Sequence, residues 1–331
     1  MKRERKTLFI AVVLVLCFVI GGLQEAAAGG GAQGKGKKPI VVNLMSKTTS
    51  PYSGILMKEY KEKASKLYPD IEWLAFDAQS DSTLQAQQAD EAIAMNPAVI
   101  LIHTIDSKAL VGTAEKIHKA GIPLINFNSK LAPEAEPFYT TFYGPDCYLQ
   151  GRAAADLLHE KYPSGCKYVY LGQDPSNETS RLRLAGFVDQ AKEKGYNFTL
   201  LGESPPCDYQ AEKGKTYMTA FLAKFPGQID AVHAVDDSVG DGARQAIEED
   251  VSGLNAKIQI VGYGGRKSAL DGIREGKNWV GTIYQSPVSE MTSVMQVAAD
   301  IIAGKMPPGK NMPMDMPKIT RENVAQFEPA F

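Results

Sequence analysis

The chain has 331 residues, with 36 Lys and Arg against 38 Asp and Glu, a formal charge of −2. Apolar residues make up 44% and charged residues 22%, an ordinary globular composition that excludes a disordered polypeptide or a bundle of membrane spans. The length exceeds one typical core and points to two domains, while the slightly acidic balance gives no electrostatic reason to seek nucleic acid.

Lys2, Arg3, Arg5 and Lys6 precede an unbroken apolar run over residues 8–20. That run is short of the roughly 20 residues a membrane span needs. Ala26-Ala27-Ala28-Gly29 then supplies small residues suited to cleavage after Ala28. Residues 1–28 therefore read as a signal peptide, with an uncleaved anchor as the alternative. Cys17 follows the bulky Leu16, where lipoprotein processing needs a small residue. Cleavage takes away four basic and two acidic residues, moving the charge to −4, and predicts an exported, periplasmic protein. Cys147, Cys166 and Cys207 remain. An oxidising compartment permits one disulfide among them, and buried free thiols are the other reading. Residues 29–38, GGGAQGKGKK, read as a flexible basic leader.

From there short β-rich apolar runs alternate with stretches of helical period. In chain order the pattern predicts a strand at 40–45, helix 53–68, strand 71–76, helix 82–95, strand 99–103 and helix 107–119. Strands at 124–127 and 138–143 follow, then helix 147–161, strand 168–171, helix 180–194, strand 198–201 and helix 210–225. The series closes with strand 231–235, helix 239–250, strand 258–263, helix 267–275, strand 280–284 and helix 288–304. Asp106 and Ser107 are candidate N-caps; Gly121 and Gly195 are helix stops. Such alternation means α/β architecture, parallel sheets with helices on both faces, and the number of strands suits two Rossmann-like lobes. The predicted N-terminal lobe holds 39–145 plus 286–316 and the C-terminal lobe 146–285 plus 317–331, joined by three crossings.

Ligands of open α/β sheets bind beyond the carboxyl ends of the strands. Those ends carry Ser50-Pro51-Tyr52, His103, Asn128-Ser129, Asp208-Tyr209, Asp236-Asp237 and Gln285. Planar polar groups hold vicinal hydroxyls bidentately, and aromatic faces cover the C–H surface of the same molecule. The mixture fits a polyhydroxylated ligand. Each residue alone also reads as an ordinary turn or cap residue.

Across residues 38–331 the chain resembles the periplasmic sugar-binding proteins of the ribose-binding type, which have the class I periplasmic-binding-protein fold. The resemblance rests on Ser50-Pro51-Tyr52, AVILIHTIDSKAL at 98–110, GIPLINFN at 121–128, the segment from Arg181 to Phe187, DDSVGDGARQAI at 236–247 and TIYQSP at 282–287. It implies a sugar-binding cleft containing Tyr52, Arg181, Tyr209, Asp236 and Gln285, and a loss of the ligand response in Arg181→Ala. It also implies hinge closure, an ABC permease as partner and a monomeric protein without cofactor, metal or catalytic residues. Asn128-Ser129 stands where ribose-type members carry an Asp-Arg pair, Gly264 where they carry Asp, and His103 where Asn is common. A hydrogen bond to a charged group contributes roughly 1.5–3 kcal/mol. These departures direct expectation away from ribose, towards another pentose, a deoxy sugar, a short polyol or a furanose-like signal molecule. His103 reads either as a pH-sensitive ligand contact or as an ordinary strand-end histidine. The same lobes could serve a chemoreceptor or sensor kinase, or an exported sugar-acting enzyme. No G-x-S-x-G elbow and no His/Cys metal spacing supports the last of these.

Overall fold

The structure is a computed structural model that describes residues 37–331. The signal-peptide segment and all but the end of the leader lie outside the described residues. The first lobe opens with β1 (Ile40–Met45), α1 (Pro51–Leu67), β2 (Glu72–Asp77), α2 (Ser82–Ala94) and β3 (Val99–Ile102). It continues through α3 (Val111–Lys119), β4 (Leu124–Phe127) and β5 (Thr141–Gly144). The second lobe runs through α4 (Cys147–Lys161), β6 (Cys166–Leu171), α5 (Glu178–Lys194), β7 (Phe198–Glu203) and α6 (Ala211–Lys224). It adds β8 (Ala231–Ala234), α7 (Asp237–Glu249), β9 (Gln259–Gly264), α8 (Lys267–Glu275) and β10 (Trp279–Tyr284). The chain then returns to the first lobe for α9 (Pro287–Ile302) and β11 (Asn311–Pro313), and ends in the second with β12 (Lys318–Ile319).

Two six-stranded sheets result, ordered β11-β5-β4-β3-β1-β2 and β12-β10-β9-β8-β6-β7. All strands of the first sheet are parallel; in the second only β12 runs antiparallel, against β10. β1, β3, β4 and β8 are buried along their whole length, as expected of strands with helices over both faces. One face of the first sheet packs Val42, Ile100 and Leu124 under α2 and α3, and the other packs Val41 and Leu101 against α1 and α9. The second sheet is sandwiched likewise by α6, α7 and α8 on one side and α4 and α5 on the other.

Three sequence expectations shift. Pro133 and Pro137 lie in a short 3-10 turn, so β5 begins at Thr141 rather than 138. Asp106 does cap, accepting from Lys108 N and Ala109 N at 2.9 Å, but it caps the turn over 107–110 that leads into α3, and α3 itself starts only at Val111. The short edge strands β11 and β12 carry too few apolar residues to register as strands. Cys147, Cys166 and Cys207 are buried free thiols.

Helices α4 and α5 meet backbone to backbone. A Cβ on Gly151 would lie 2.0 Å from the Arg183 carbonyl oxygen, and one on Gly186 would lie 2.0 Å from that of Tyr148. Only glycine permits this approach, and it sets the position of the helix that carries Arg183.

Candidate functional site

In a doubly wound sheet the ligand crevice lies where the strand order reverses. Both sheets reverse beside their first strand, β1 and β6. The carboxyl ends there face a common cavity of about 380 Å³, within the range of about 300–1,000 Å³ usual for small-molecule sites.

The first lobe contributes Tyr52, His103 and Asn128 to the lining. Ser50 caps α1 with Pro51 at its first position, which places Tyr52 in the opening turn. The Tyr52 hydroxyl donates to Glu290 Oε2 at 2.6 Å, and Asn128 Nδ2 donates to the same oxygen at 2.9 Å. Asn128 adopts φ +60°, a left-handed conformation that Asn tolerates better than most residues. His103 Nδ1 lies 3.2 Å from Ser46 Oγ. Burial pushes its imidazole down to about 4, with a side-chain bond to Asn128 opposing the shift. The ring is therefore neutral near pH 7, so its own titration supplies no pH sensitivity there.

Glu290 was not foreseen. It sits in the first turn of α9, where an acidic residue reads as an ordinary helix-dipole partner. Only the fold turns it inward, fully buried, behind Tyr52 and Asn128. Burial pushes its carboxyl up to about 7, against hydrogen bonds from Tyr52 and Asn128 that favour the charged form.

The second lobe contributes Gln173, Arg183, Tyr209 and Asp236, with Gln285 at the crossing between β10 and α9. Asn177 caps α5 by accepting from Ser180 N at 2.9 Å, and its Oδ1 also accepts from the Tyr209 hydroxyl at 3.0 Å. Arg183 is buried; its Nε donates to Gln150 Oε1 at 2.9 Å, Nη1 to the Val235 carbonyl at 2.8 Å and Nη2 to Gln285 Oε1 at 3.0 Å. The guanidinium also covers the Tyr263 ring, 4.3 Å from its centroid. Gln150 Nε2 occupies Gln285 Oε1 as well, at 3.1 Å. The Gln285 oxygen is thus engaged by protein, and its NH2, which also bonds toward Tyr52 and Glu290, is the remaining polar end.

Arg181 is a correction. Its guanidinium forms a bidentate pair with Glu178, at 3.0 and 2.6 Å, and half of the side chain is exposed. It does not border the cavity; Arg183 does. Two residues along a helix turn the side chain by about 200°, so α5 cannot present both to the cleft. The remaining expected residues, Tyr52, His103, Asn128, Tyr209, Asp236 and Gln285, all line it.

Asp236 caps α7 by accepting from Val239 N at 2.9 Å, and burial raises its carboxyl while that bond and Arg183 counter the rise. Gln173, which lines the cavity, accepts at Oε1 from Asp208 N at 2.9 Å, and its Nε2 is buried without a protein partner. Phe331, also unforeseen, is part of the lining. The walls therefore offer donors, acceptors and ring faces together. Among the described residues no group of three or more His, Cys, Asp or Glu side chains is placed to hold a metal ion.

Two lobes of like topology, facing each other strand end to strand end over such a cavity, define a two-lobed α/β binding fold of the class I periplasmic type. The chain belongs to the family described as periplasmic binding protein domain, which it matches over residues 41–306. It is 28% identical over 270 residues to the ribose import binding protein of Bacillus subtilis, covering 81% of this chain and 84% of that one. It is 25% identical over 304 residues to a xylitol-binding protein of Mycolicibacterium smegmatis, covering 92% and 83%. A solved ABC transporter solute-binding protein of Bacillus halodurans with bound myo-inositol superposes with a TM-score of 0.80 at 23% identity, covering 91% of this chain and all of that one.

Proposed function

We propose that this protein is a periplasmic solute-binding protein that captures a small polyhydroxylated ligand, a monosaccharide, deoxy sugar or polyol, and delivers it to an ABC permease. Export would follow cleavage near Ala28, and the working form would be a monomer. The observation that carries the reading is the pairing of Arg183 and Asp236 on one side of the cavity with Tyr52 and Asn128 on the other. A ligand bridging them gains contacts only when the lobes are together, and that difference in affinity is what shifts a hinge equilibrium. Relatives that bind ribose, by name, and xylitol support the class of ligand.

The cleft supports binding rather than turnover. Arg183 spends three of its five N–H donors on Gln150, Val235 and Gln285, which fixes it in place and leaves two for a guest, and Asp236 spends one oxygen on a helix cap. The test is a thermal-shift and calorimetry screen of pentoses, hexoses, deoxy sugars and polyols, with mass spectrometry of the recovered ligand. A binder raises the melting temperature by mass action and returns the ligand unchanged. A panel without any binder, or a chemically altered ligand, defeats the reading.

A further inference from the structure

We propose that Phe331 sets the chemical class of the ligand, forming an apolar floor that selects a sugar or polyol with one unhydroxylated edge, a deoxy or methyl-bearing carbon, over its fully hydroxylated counterpart. This rests on the sugar or polyol reading above.

Strand β9 ends at the cavity in Gly264, and Gly265 follows it, at φ +135° and +86°. Neither brings a side chain. A Cβ on Gly264 would lie 3.1 Å from Cε1 and Cζ of Phe331, so the ring fills the space a side chain at 264 would take. The ring is held there. Ala330 N donates to the Gly265 carbonyl at 2.8 Å, and Lys267 N donates to that of Phe331 at 2.9 Å. Tyr52 of the opposite lobe meets it edge-on, with centroids 5.7 Å apart and planes at 85°.

A carboxylate does exist at this end of the cavity, but it faces the other way. Asp237 is fully buried beneath the glycines. Its Oδ2 accepts from Gly265 N at 2.7 Å and Arg266 N at 2.9 Å, and its Oδ1 from the Thr282 hydroxyl at 2.8 Å. The Tyr52 hydroxyl is likewise committed to Glu290. A ligand hydroxyl directed at Phe331 would give up its bonds to water and meet a ring, whereas a C–H or methyl group would pack on it. An apolar wall rejects an added hydroxyl only moderately, by about 10- to 100-fold. The remaining hydroxyls would be held by Arg183, Asp236, Asn128 and Gln285.

Calorimetry on matched pairs tests this: D-fucose against D-galactose, L-rhamnose against L-mannose, and 2-deoxy-D-ribose against D-ribose. The expected result is that in at least one pair the deoxy member binds about tenfold more tightly, equivalent to about 1.4 kcal/mol. Phe331→Ala should bring that ratio close to one. Phe331→Tyr, which keeps the ring and adds a hydroxyl, should do the same, and stands in if the alanine variant fails to fold. A preference for the hydroxylated member in every pair that binds, or a ratio unchanged in both variants, overturns the inference and leaves the sugar reading standing. Binding of none of the six sugars, nor of xylitol, myo-inositol or glycerol, overturns both.

Discussion

Arg183 Nη2 lies 3.0 Å from Gln285 Oε1, so a guanidinium on the cavity wall grips a side chain at the point where the chain leaves the second lobe. This contact ties the site to one of the three crossings.

Arg183→Ala should abolish the ligand-induced rise in melting temperature, while Arg181→Ala should leave it intact. The Arg183 variant also leaves the buried acceptors on Gln150 and Val235 without this donor, while Gln285 Oε1 keeps only Gln150 Nε2. Each orphaned group costs about 1–3 kcal/mol, so the unliganded protein should lose several kcal/mol in urea denaturation. Loss of the shift in Arg181→Ala instead would reverse the assignment.

Gly151→Ala should damage both stability and binding. Its methyl group would meet the Arg183 carbonyl oxygen, part of the backbone, so α5 must move away. Overpacking of this kind costs about 1–3 kcal/mol, and the displaced turn carries the cavity arginine. Denaturant midpoint and sugar affinity, measured on the same variant, should both fall. Unchanged affinity would mean that α5 tolerates the shift.

Glu290 gives a pH dependence with a definite sign. Its carboxyl is raised from 4.5 to about 7 in the fold. The stability owed to the neutral form is complete below about 4.5 and lost as pH rises through about 7, a change of up to about 3 kcal/mol. Asp237, also raised to about 7, acts in the same direction. His103 and His233, held down to about 4 and 3, act oppositely between those values and 6.5. Glu290→Gln isolates the first effect. The unfolding free energy of the variant minus that of the parent should rise between pH 5 and pH 8, and a flat difference would show that Glu290 is ionised throughout.

Cys147, Cys166 and Cys207 should resist alkylation by iodoacetamide until denaturant is added, as read by mass spectrometry. Burial raises Cys166 to about 12 and Cys207 to about 11, which suppresses the reactive thiolate. A reductant should leave the melting temperature unchanged. A drop would reveal a disulfide.

Much of the architecture was legible in the residues themselves. Fully buried parallel strands are apolar along most of their length, so β1 and β4 announce themselves as IVVNLM and LINF, each broken by a single buried asparagine. The strand-end rule then led to Tyr52, His103, Asn128, Tyr209, Asp236 and Gln285, because the chemistry of a doubly wound sheet is confined to one edge. Resemblance to ribose-type binders directed the choice among them. What the sequence could not decide was orientation and long-range contact. Arg181 and Arg183 are alike in type and two residues apart, and only the register set by Asn177 and by the close approach of α4 and α5 at Gly151 and Gly186 turns one of them inward. Glu290 and Phe331 lie far along the chain from Tyr52, and no local pattern records that the two crossings bring both against it. Local periodicity determines which segments form strands and helices; the packing of distant segments determines which side chains they present to a guest.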